Sequence, residues 1–286
     1  TITIVRELRL PRAVQAALGG AALSLSGATF QALLRNPLAE PYVLGVSSGA
    51  AVGAVAAVAL GLAASSVWGL PLAAFVGAVG AMLLVMRLAL VVGGALDTRV
   101  LLLAGVVVGS FANACVWLVL SFADLETQRA AIFWMLGSHA NASWAGVGVL
   151  GAYLALASVA LLALARPLDL LGVGEDVAGY LGASVERTKL LAYAMATLLT
   201  AASVAVCGVI GFVGLVVPHV ARLLWGSGHR GLLPSSALLG ATFLVLADAL
   251  ARVAAAPTEL PIGVVTAFVG VPFFVVLLRR RAGGLT

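Results

Sequence analysis

Arginine side chains are the chemical groups that this sequence places most distinctively. Arg9 and Arg12 stand three residues apart at the start of a long apolar stretch, and Arg252 stands near the end of another. Arginine stays charged and forms paired hydrogen bonds to carboxylates, so these residues are suited to recognise acidic groups. For Arg252 the alternative is an ion pair with Asp248, four residues earlier, which would neutralise two charges inside a membrane.

The patterns typical of catalysis and of metal binding are missing from the sequence. A nucleotide-binding loop needs glycines followed by Lys-Ser or Lys-Thr, but the single lysine, Lys189, follows Arg187-Thr188. Cys115 and Cys207 lie in apolar runs without the spacing of metal ligands, and none of the three histidines has a second ligand at helical spacing. We therefore expect a protein that is not an enzyme and that has neither a metal site nor a cofactor of its own.

The composition predicts that the chain lies in a membrane. Of 286 residues, 63% are hydrophobic and only 9% are charged, whereas soluble domains have about 25% charged residues. The 33 glycines suit helices that pack closely in lipid, and the alternating segments of a membrane barrel are absent. The net charge of +5 comes without a basic face or interleaved aromatic residues, so we expect no nucleic-acid partner.

Nine apolar segments predict an all-α, polytopic membrane helix bundle that forms a single domain over residues 1–286. A membrane-spanning helix needs about 20 apolar residues. The segments are 13–34, 42–62, 69–92, 100–121, 143–164, 189–208, 210–226, 234–254 and 262–279. Proline and glycine lie in most connections, where a missing backbone N–H costs least.

The distribution of basic residues predicts the orientation of these segments. With a cytoplasmic C-terminus that carries Arg279, Arg280 and Arg281, 11 of the 16 basic residues lie inside, as the positive-inside rule requires. The five that lie outside are Arg6, Arg9, Arg12, Arg129 and Arg252. This orientation places the connector 166–189 in the cytoplasm and the connector 122–143 outside.

The first residue is Thr1 and not Met, so we expect a fragment or processed form of a longer chain.

The connector 166–189 is unusually rich in charge. It contains seven of the 27 charged residues, namely Arg166, Asp169, Glu175, Asp176, Glu186, Arg187 and Lys189. If residues 174–182, GEDVAGYLG, form two helical turns, the acids occupy the positive end of the helix dipole. Val177, Tyr180 and Leu181 then form an apolar stripe. Helices that lie on lipid favour basic polar faces, so this segment predicts docking of a cytoplasmic protein partner.

Two polar features near the apolar segments are expected to be structural. The NPLAEP turn, residues 36–41, would join two helices, and Glu40 there would contact a partner or simply face water, with a structural role favoured. Pro218 would remove a backbone hydrogen bond within a helix, which membranes tolerate when a neighbouring group satisfies the freed carbonyl.

Four stretches of the sequence resemble the FecCD-type permeases, the membrane subunits of bacterial ABC importers for siderophores, haem and vitamin B12. They are LRLPRAVQAALGGAALSLSGATFQALLRNPLAEPYVLGVSSGAAVGA (8–54), WMLGS (134–138), GFVGLVVPHVARLL (211–224) and ELPIGVVTAFVGVPFF (259–274). Their order and spacing agree along nearly the whole chain. The resemblance implies ten membrane helices, of which the first is absent from this sequence.

The resemblance implies a set of partners and a mechanism. Such permeases are homodimers in the bacterial cytoplasmic (inner) membrane and its lipid, with two ATP-Mg-binding ATPase subunits on the cytoplasmic side and one periplasmic or lipid-anchored substrate-binding protein outside. They import an iron-siderophore, haem or cobalamin-type substrate by ATP-driven alternating access, and the sequence does not decide among these substrates. The alternative is an ion-coupled secondary transporter without an ATPase, for which Asp248 is the candidate carrier.

The resemblance also implies roles for individual residues. Arg9, Arg12 and Arg252 match arginines that contact acidic residues of the binding protein in the vitamin B12 importers. The helix that couples to the ATPase would comprise Gly174, Glu175, Asp176, Val177, Gly179, Tyr180, Leu181 and Gly182. Ser110 and Asn113 would line the translocation path, although small polar residues also serve in helix contacts. The connector 122–143 would contain a short helix that gates the path.

Overall fold

The computed structural model describes residues 2–93 and 96–282 as a bundle of α-helices, with no β-strand in either range. A π-helical turn (Ile4–Arg9) precedes the first helix, and a 3-10 turn (Pro41–Leu44) precedes the second. The helices are α1 (Leu10–Leu33), α2 (Val46–Ala59), α3 (Leu62–Ser65), α4 (Gly69–Gly93), α5 (Thr98–Phe122), α6 (Leu125–Met135), α7 (Trp144–Ala163), α8 (Ala165–Val173), α9 (Glu175–Tyr180), α10 (Val185–Cys207), α11 (Val213–Trp225), α12 (His229–Val253) and α13 (Ile262–Ala282). The all-α prediction is confirmed.

Six helices in the described ranges are long and apolar enough to cross a membrane. They are Ile4–Leu33, Gly69–Gly93, Thr98–Phe122, Trp144–Ala163, Val185–Cys207 and His229–Val253. Their exposed surfaces are apolar, as lipid requires: Phe111, Trp117 and Leu118 of α5 are each at least 60% exposed. The side chains of residues 277–282, which include the tail arginines used for orientation, lie outside the described part of the chain.

The other three predicted segments fall on shorter apolar stretches, so the count of nine spans stays a prediction. These stretches are Val46–Ala59, Val213–Trp225 and Ile262–Val276. A helix of 13 residues rises only about 20 Å, less than the hydrocarbon thickness of about 30 Å. Hydropathy shows that a segment is apolar, but it does not show where a helix begins or ends within an apolar run.

Helix α1 lies at the centre of the bundle and packs against α7, α10, α11 and α12. Its contacts are close because glycines face each other. A Cβ atom on Gly20 would lie within 3.0 Å of the Gly240 carbonyl in α12, and one on Gly27 would lie within 3.0 Å of the Gly214 carbonyl. Small residues at these crossings allow the backbones to approach, which is how helices associate in lipid.

Between α10 and α11 the chain is non-helical over residues 208–212, inside an apolar region of the sequence. Irregular backbone at membrane depth is tolerated only when its polar groups have partners in the protein. The Tyr42 hydroxyl accepts from the Ile210 N–H at 2.9 Å and donates to the Ile210 carbonyl at 2.6 Å. Glu40 accepts from the N–H of Phe212 at 2.6 Å. The geometry agrees with the structural role predicted for Glu40.

Gln31 of α1 compensates for the proline within α11. Because Pro218 lacks an N–H, the Gly214 carbonyl, four residues earlier, loses its usual helical donor. The Gln31 amide donates to the carbonyls of Gly214 at 3.3 Å and Leu215 at 3.2 Å. Its Oε1 atom accepts from both terminal nitrogens of Arg222 at 3.1 Å. A side chain from α1 therefore satisfies the group that the proline leaves without a donor.

Candidate interaction sites at the two ends of the bundle

At one end of α1, two carboxylates hold a single arginine. The Nε and Nη2 atoms of Arg12 donate to Asp248 at 2.9–3.0 Å, and Nη1 and Nη2 donate to Glu259 at 3.0 and 2.9 Å. The Asp248 side chain is only 3% exposed, and that of Arg12 is 14% exposed. A carboxylate as buried as Asp248 is tolerated because it is paired and hydrogen-bonded.

Arg252 belongs to the same group of side chains. Its Nε atom lies 3.3 Å from Oδ2 of Asp248, so the ion pair considered from sequence is present. The Arg252 side chain is nevertheless 39% exposed, and it therefore remains accessible to a protein that approaches this end. We call Arg12, Asp248, Arg252 and Glu259 the Arg12 cluster. Arg12 and Arg252 both contact the carboxylate of Asp248. They are two of the three arginines singled out from sequence.

The Arg12 cluster has no net charge, because its two arginines face two carboxylates. His139, between α6 and α7, is fully buried with Nδ1 3.5 Å from the amide nitrogen of Gln15. Removal of the His139 ring from water lowers its pKa to about 4, so it is neutral at pH 7. The exposed turn before α1 adds Arg6, Glu7 and Arg9. Accessible positive charge is therefore provided by Arg6, Arg9 and Arg252.

At the opposite end of α1, helices α8 and α9 form the segment predicted to dock a partner. They meet at Gly174, whose φ of 153° favours glycine. Oδ1 of Asp169 in α8 accepts from the backbone N–H of His229 at 2.9 Å. The same oxygen lies 2.6 Å from the ring Nδ1 of His229. Glu175 in α9 lies 3.1 Å from Arg35 and 2.5 Å from Lys189. Hydrogen bonds from His229 to Asp169 therefore attach α8 to the bundle, and ion pairs of Glu175 attach α9.

The outer surface of α9 and the residues that follow it are apolar and exposed. Val177, Tyr180 and Leu181 are 42%, 91% and 63% exposed, so the stripe predicted from their spacing faces away from the bundle. Gly179 is exposed, with no atom within 4 Å of a Cβ built there, and Gly182 ends the segment with a φ of 83°. We call residues 174–182 the coupling segment.

A polar recess of about 570 Å³ opens beside the coupling segment. Its walls come from the turn after α1, the start of α5 and the residues around the N-terminus of α9. They are formed by Arg35, Asp97, Thr98, Arg99, Val173, Gly174, Glu175, Asp176 and Val177. This end therefore offers a partner an apolar ridge next to a recess lined by charges of both signs, which is the kind of surface that a protein groove and its polar rim can match.

Ser110 and Asn113 lie on an exposed face of α5. Val106 at 53% and Trp117 at 66% exposure belong to the same face, and the buried positions of α5 lie on the other side of the helix. The apolar residues of this face suit lipid or a second protein, whereas the polar pair suits a protein contact or a water-filled path. The connector 122–143 contains α6, capped by Asp124, which accepts from the Thr127 N–H at 2.8 Å; its gating role stays a prediction.

The sequence of the whole bundle matches one family. The model of the FecCD transport family matches residues 1–280, which include both ends described above. The chain belongs to the FecCD transport family. The resemblance inferred from residues 8–54, 134–138, 211–224 and 259–274 is confirmed.

Relatives of this FecCD chain are named as permeases. It is 45% identical over 284 residues to the uncharacterized ABC transporter permease protein YvrB of Bacillus subtilis, with 98% of this chain and 80% of the relative covered. It is 46% identical over 281 residues to the cobalamin import system permease BtuC of Halobacterium salinarum (97% and 74% covered). It is 42% identical over 280 residues to the vitamin B12 import system permease BtuC of Escherichia coli O157:H7 (96% and 83% covered).

Solved structures agree with the FecCD assignment. One described as an inward-facing conformation of a metal-chelate type ABC transporter superposes with a TM-score of 0.91 at 34% identity, with 98% of this chain and 88% of that chain covered. PsaBC from Streptococcus pneumoniae, in complex with Fab, shares the fold alone, at 16% identity and a TM-score of 0.62. Together with the six long apolar helices, family and neighbours show a multi-pass membrane protein of the ABC permease type.

Several side chains that contact the candidate site residues could not be identified from the spacing of residues in the sequence. Arg12 and Asp248 are separated by 236 positions, and Arg12 and Glu259 by 247. Only the pair of Asp248 and Arg252 has a local signature, the spacing of four residues. Lys189 was noted as a charged residue of the connector 166–189 and as a lysine without a nucleotide-binding loop, and its place beside Glu175 follows from the fold.

Proposed function

We propose that this chain is the membrane permease of a binding-protein-dependent ABC importer, working as a homodimer in a bacterial cytoplasmic membrane. The observation that carries the proposal is the coupling segment, a short exposed apolar helix fixed to the bundle by ion pairs. In this proposal the coupling segment and the C-terminus face the cytoplasm. The relatives named BtuC support a cobalamin-type substrate, and the metal-chelate type neighbour supports the wider class that includes haem and ferric siderophores.

Two ATPase subunits would dock on the coupling segments of the dimer and hydrolyse ATP-Mg. Their closure would push on the exposed side chains of Val177, Tyr180 and Leu181 and thereby convert hydrolysis into alternating access. The permease itself binds no nucleotide in this proposal.

The Arg12 cluster and Arg9 would receive a substrate-binding protein on the periplasmic side. Of the three arginines singled out from sequence, Arg9 and Arg252 are accessible donors for acidic side chains of that protein. Arg12 already uses four of its five N–H donors on Asp248 and Glu259, so a carboxylate from outside would form a paired contact with it by displacing Glu259. The exposed face of α5 with Ser110 and Asn113 would meet its copy across the dimer and line the path.

An ion-coupled secondary transporter is not favoured. Its candidate proton carrier, Asp248, is buried between Arg12 and Arg252. Both oxygens of that carboxylate already contact arginine nitrogens, which leaves a transported ion no unoccupied oxygen at this position.

Reconstitution tests the proposed function directly. We expect proteoliposomes that contain this chain, its ATPase and its binding protein to take up cyanocobalamin, haem or a ferric siderophore only when ATP is supplied. The matched control is the same permease without ATPase under proton and sodium gradients. Uptake that those gradients drive without ATPase would contradict the proposal and favour the secondary transporter.

Removing positive charge near the Arg12 cluster should weaken the affinity for the binding protein, and removing negative charge there should strengthen it. We expect Arg9→Glu to weaken binding about tenfold, or about 1.4 kcal/mol, at low salt, because an attraction becomes a repulsion. Glu259→Gln should strengthen binding, because it frees donors of Arg12 and removes a competing carboxylate. Surface plasmon resonance at two salt concentrations measures both effects.

Arg129→Glu is the matched control, since it makes the same charge reversal on α6, outside the Arg12 cluster. Equal weakening by Arg9→Glu and Arg129→Glu would point to general steering by charge. Unchanged affinity in both Arg9→Glu and Glu259→Gln would remove this end of the bundle as the docking site.

A further inference from the structure

Lys189, the only lysine of the chain, is buried at the coupling end of α10. Its residue is 4% exposed, and a buried ammonium group is costly unless it is paired and hydrogen-bonded. Two acceptors meet this need. The Nζ atom lies 2.5 Å from Glu175 Oε2 and 2.8 Å from the carbonyl oxygen of Leu96. One side chain thus joins α9, α10 and the connection between α4 and α5.

Glu175 extends this junction to a fourth part of the chain. Its second oxygen, Oε1, accepts from Arg35 Nη2 at 3.1 Å, in the turn that follows α1. The Arg35 side chain is 43% exposed, so this pair is weakened by solvent and salt. The Lys189 side chain is 5% exposed, and its pair with Glu175 is the shielded one.

Helix α9 has little else to hold it in place. It comprises six residues, of which Ala178 is the buried one, and its N-cap residue Gly174 has no side chain to cap it. Isolated helices this short are not stable in water. The direction in which Tyr180 and Leu181 point therefore depends on the packing of Ala178 and on the two ion pairs of Glu175, of which the pair with Lys189 is the more buried.

We infer that Glu175 and Lys189 are positioning residues for energy coupling. The pair holds α9 so that a displacement of its exposed face moves α10 and the start of α5 together with it. This inference rests on the proposed function, because it presupposes an ATPase that pushes on the coupling segment. The ion pair is needed to transmit motion of α9 to the bundle and is not needed for docking of the ATPase.

The test compares Lys189→Met with the wild type in the reconstituted importer. The variant keeps an apolar side chain of similar length at the buried position and leaves Glu175, which is 31% exposed, with access to water. We expect the variant to bind the ATPase and hydrolyse ATP as the wild type does. The amount of substrate moved per ATP should fall about fivefold or more, as for loss of a typical coupling energy.

Glu186→Gln is the matched control, since it neutralises an exposed acid in the first turn of the same helix. An unchanged ratio of substrate to ATP in Lys189→Met, or an equal fall in Glu186→Gln, would overturn the inference. If Lys189→Met does not fold, the double variant Glu175→Gln with Lys189→Met removes both charges and is expected to show the same loss.

A second measurement tests the position of α9 without transport. A nitroxide on Leu181→Cys, with Cys115 and Cys207 replaced by alanine, should become more mobile when Lys189→Met is added. Unchanged mobility would overturn the inference even if the importer is active. Absence of ATP-driven uptake in the wild type would instead contradict the proposed function, and the label would still report on the ion pair.

Discussion

Uptake is expected to fall to background when Leu181 is replaced by glutamate. Leu181 is 63% exposed beside Tyr180, which is 91% exposed, so in the proposed importer both enter a groove of the ATPase. A carboxylate buried in that groove without a partner would cost about 2–4 kcal/mol of docking energy, as at other interface hot spots. Because the side chain faces away from the bundle, the permease itself should fold normally.

Co-purification of the ATPase with the Leu181→Glu variant measures this effect, together with uptake and the melting temperature of the permease alone. Arg187→Glu is the control, because it places the same side chain at an exposed position nearby. Retention of the ATPase and of uptake by Leu181→Glu would show that the coupling segment is only a linker. The result also separates docking from transmission, since Lys189→Met is expected to keep the ATPase bound.

Replacing Gly20 with leucine should prevent assembly of the bundle. A Cβ at this position already meets the Gly240 carbonyl and the Leu244 side chain within 3.0 Å, so α1 and α12 would have to separate. Overpacking of a core costs typically 1–3 kcal/mol and sometimes more. We expect a value at or above the top of that range, because backbone atoms cannot turn away as a side chain can.

Thermal unfolding in detergent measures the loss of stability in Gly20→Leu. Size-exclusion chromatography then shows whether the bundle has assembled. Gly148→Leu on α7 is the control, since a Cβ at Gly148 has no atom within 4 Å, and it should melt like the wild type. If Gly20→Leu melts like that control, the close crossing of α1 and α12 is not required for the fold.

The sequence predicted the long helices better than the short ones, for a physical reason. Each of the six long helices has an 18-residue apolar window, which hydropathy detects. The predicted segments 189–208 and 210–226 meet close to the break between α10 and α11, but residues 208–212 are just as apolar, so hydropathy does not show that the backbone is non-helical there. What permits the break is Tyr42 and Glu40, which are 168 and 172 positions away from the groups they bind, and no local pattern reveals such a contact.

The same limit applies to the two candidate sites. The stripe of Val177, Tyr180 and Leu181 was visible because helical spacing repeats every three to four residues. Glu175 looked equally available, but its carboxylate is engaged with Arg35 and Lys189. The local spacing therefore identified the exposed face of the coupling segment, while the side chains that hold it came together only in the fold.

The hydrogen bonds around α11 also have a consequence for how the chain is made. The backbone groups of Ile210, Phe212 and Gly214 are satisfied by Tyr42, Glu40 and Gln31. All three donors and acceptors are synthesised long before the segment that needs them. A nascent chain leaves the ribosome from its N-terminus, so Tyr42, Glu40 and Gln31 are already present when this non-helical stretch enters the bilayer. If the two parts of the gene were exchanged in order, the unsatisfied backbone would reach the lipid first.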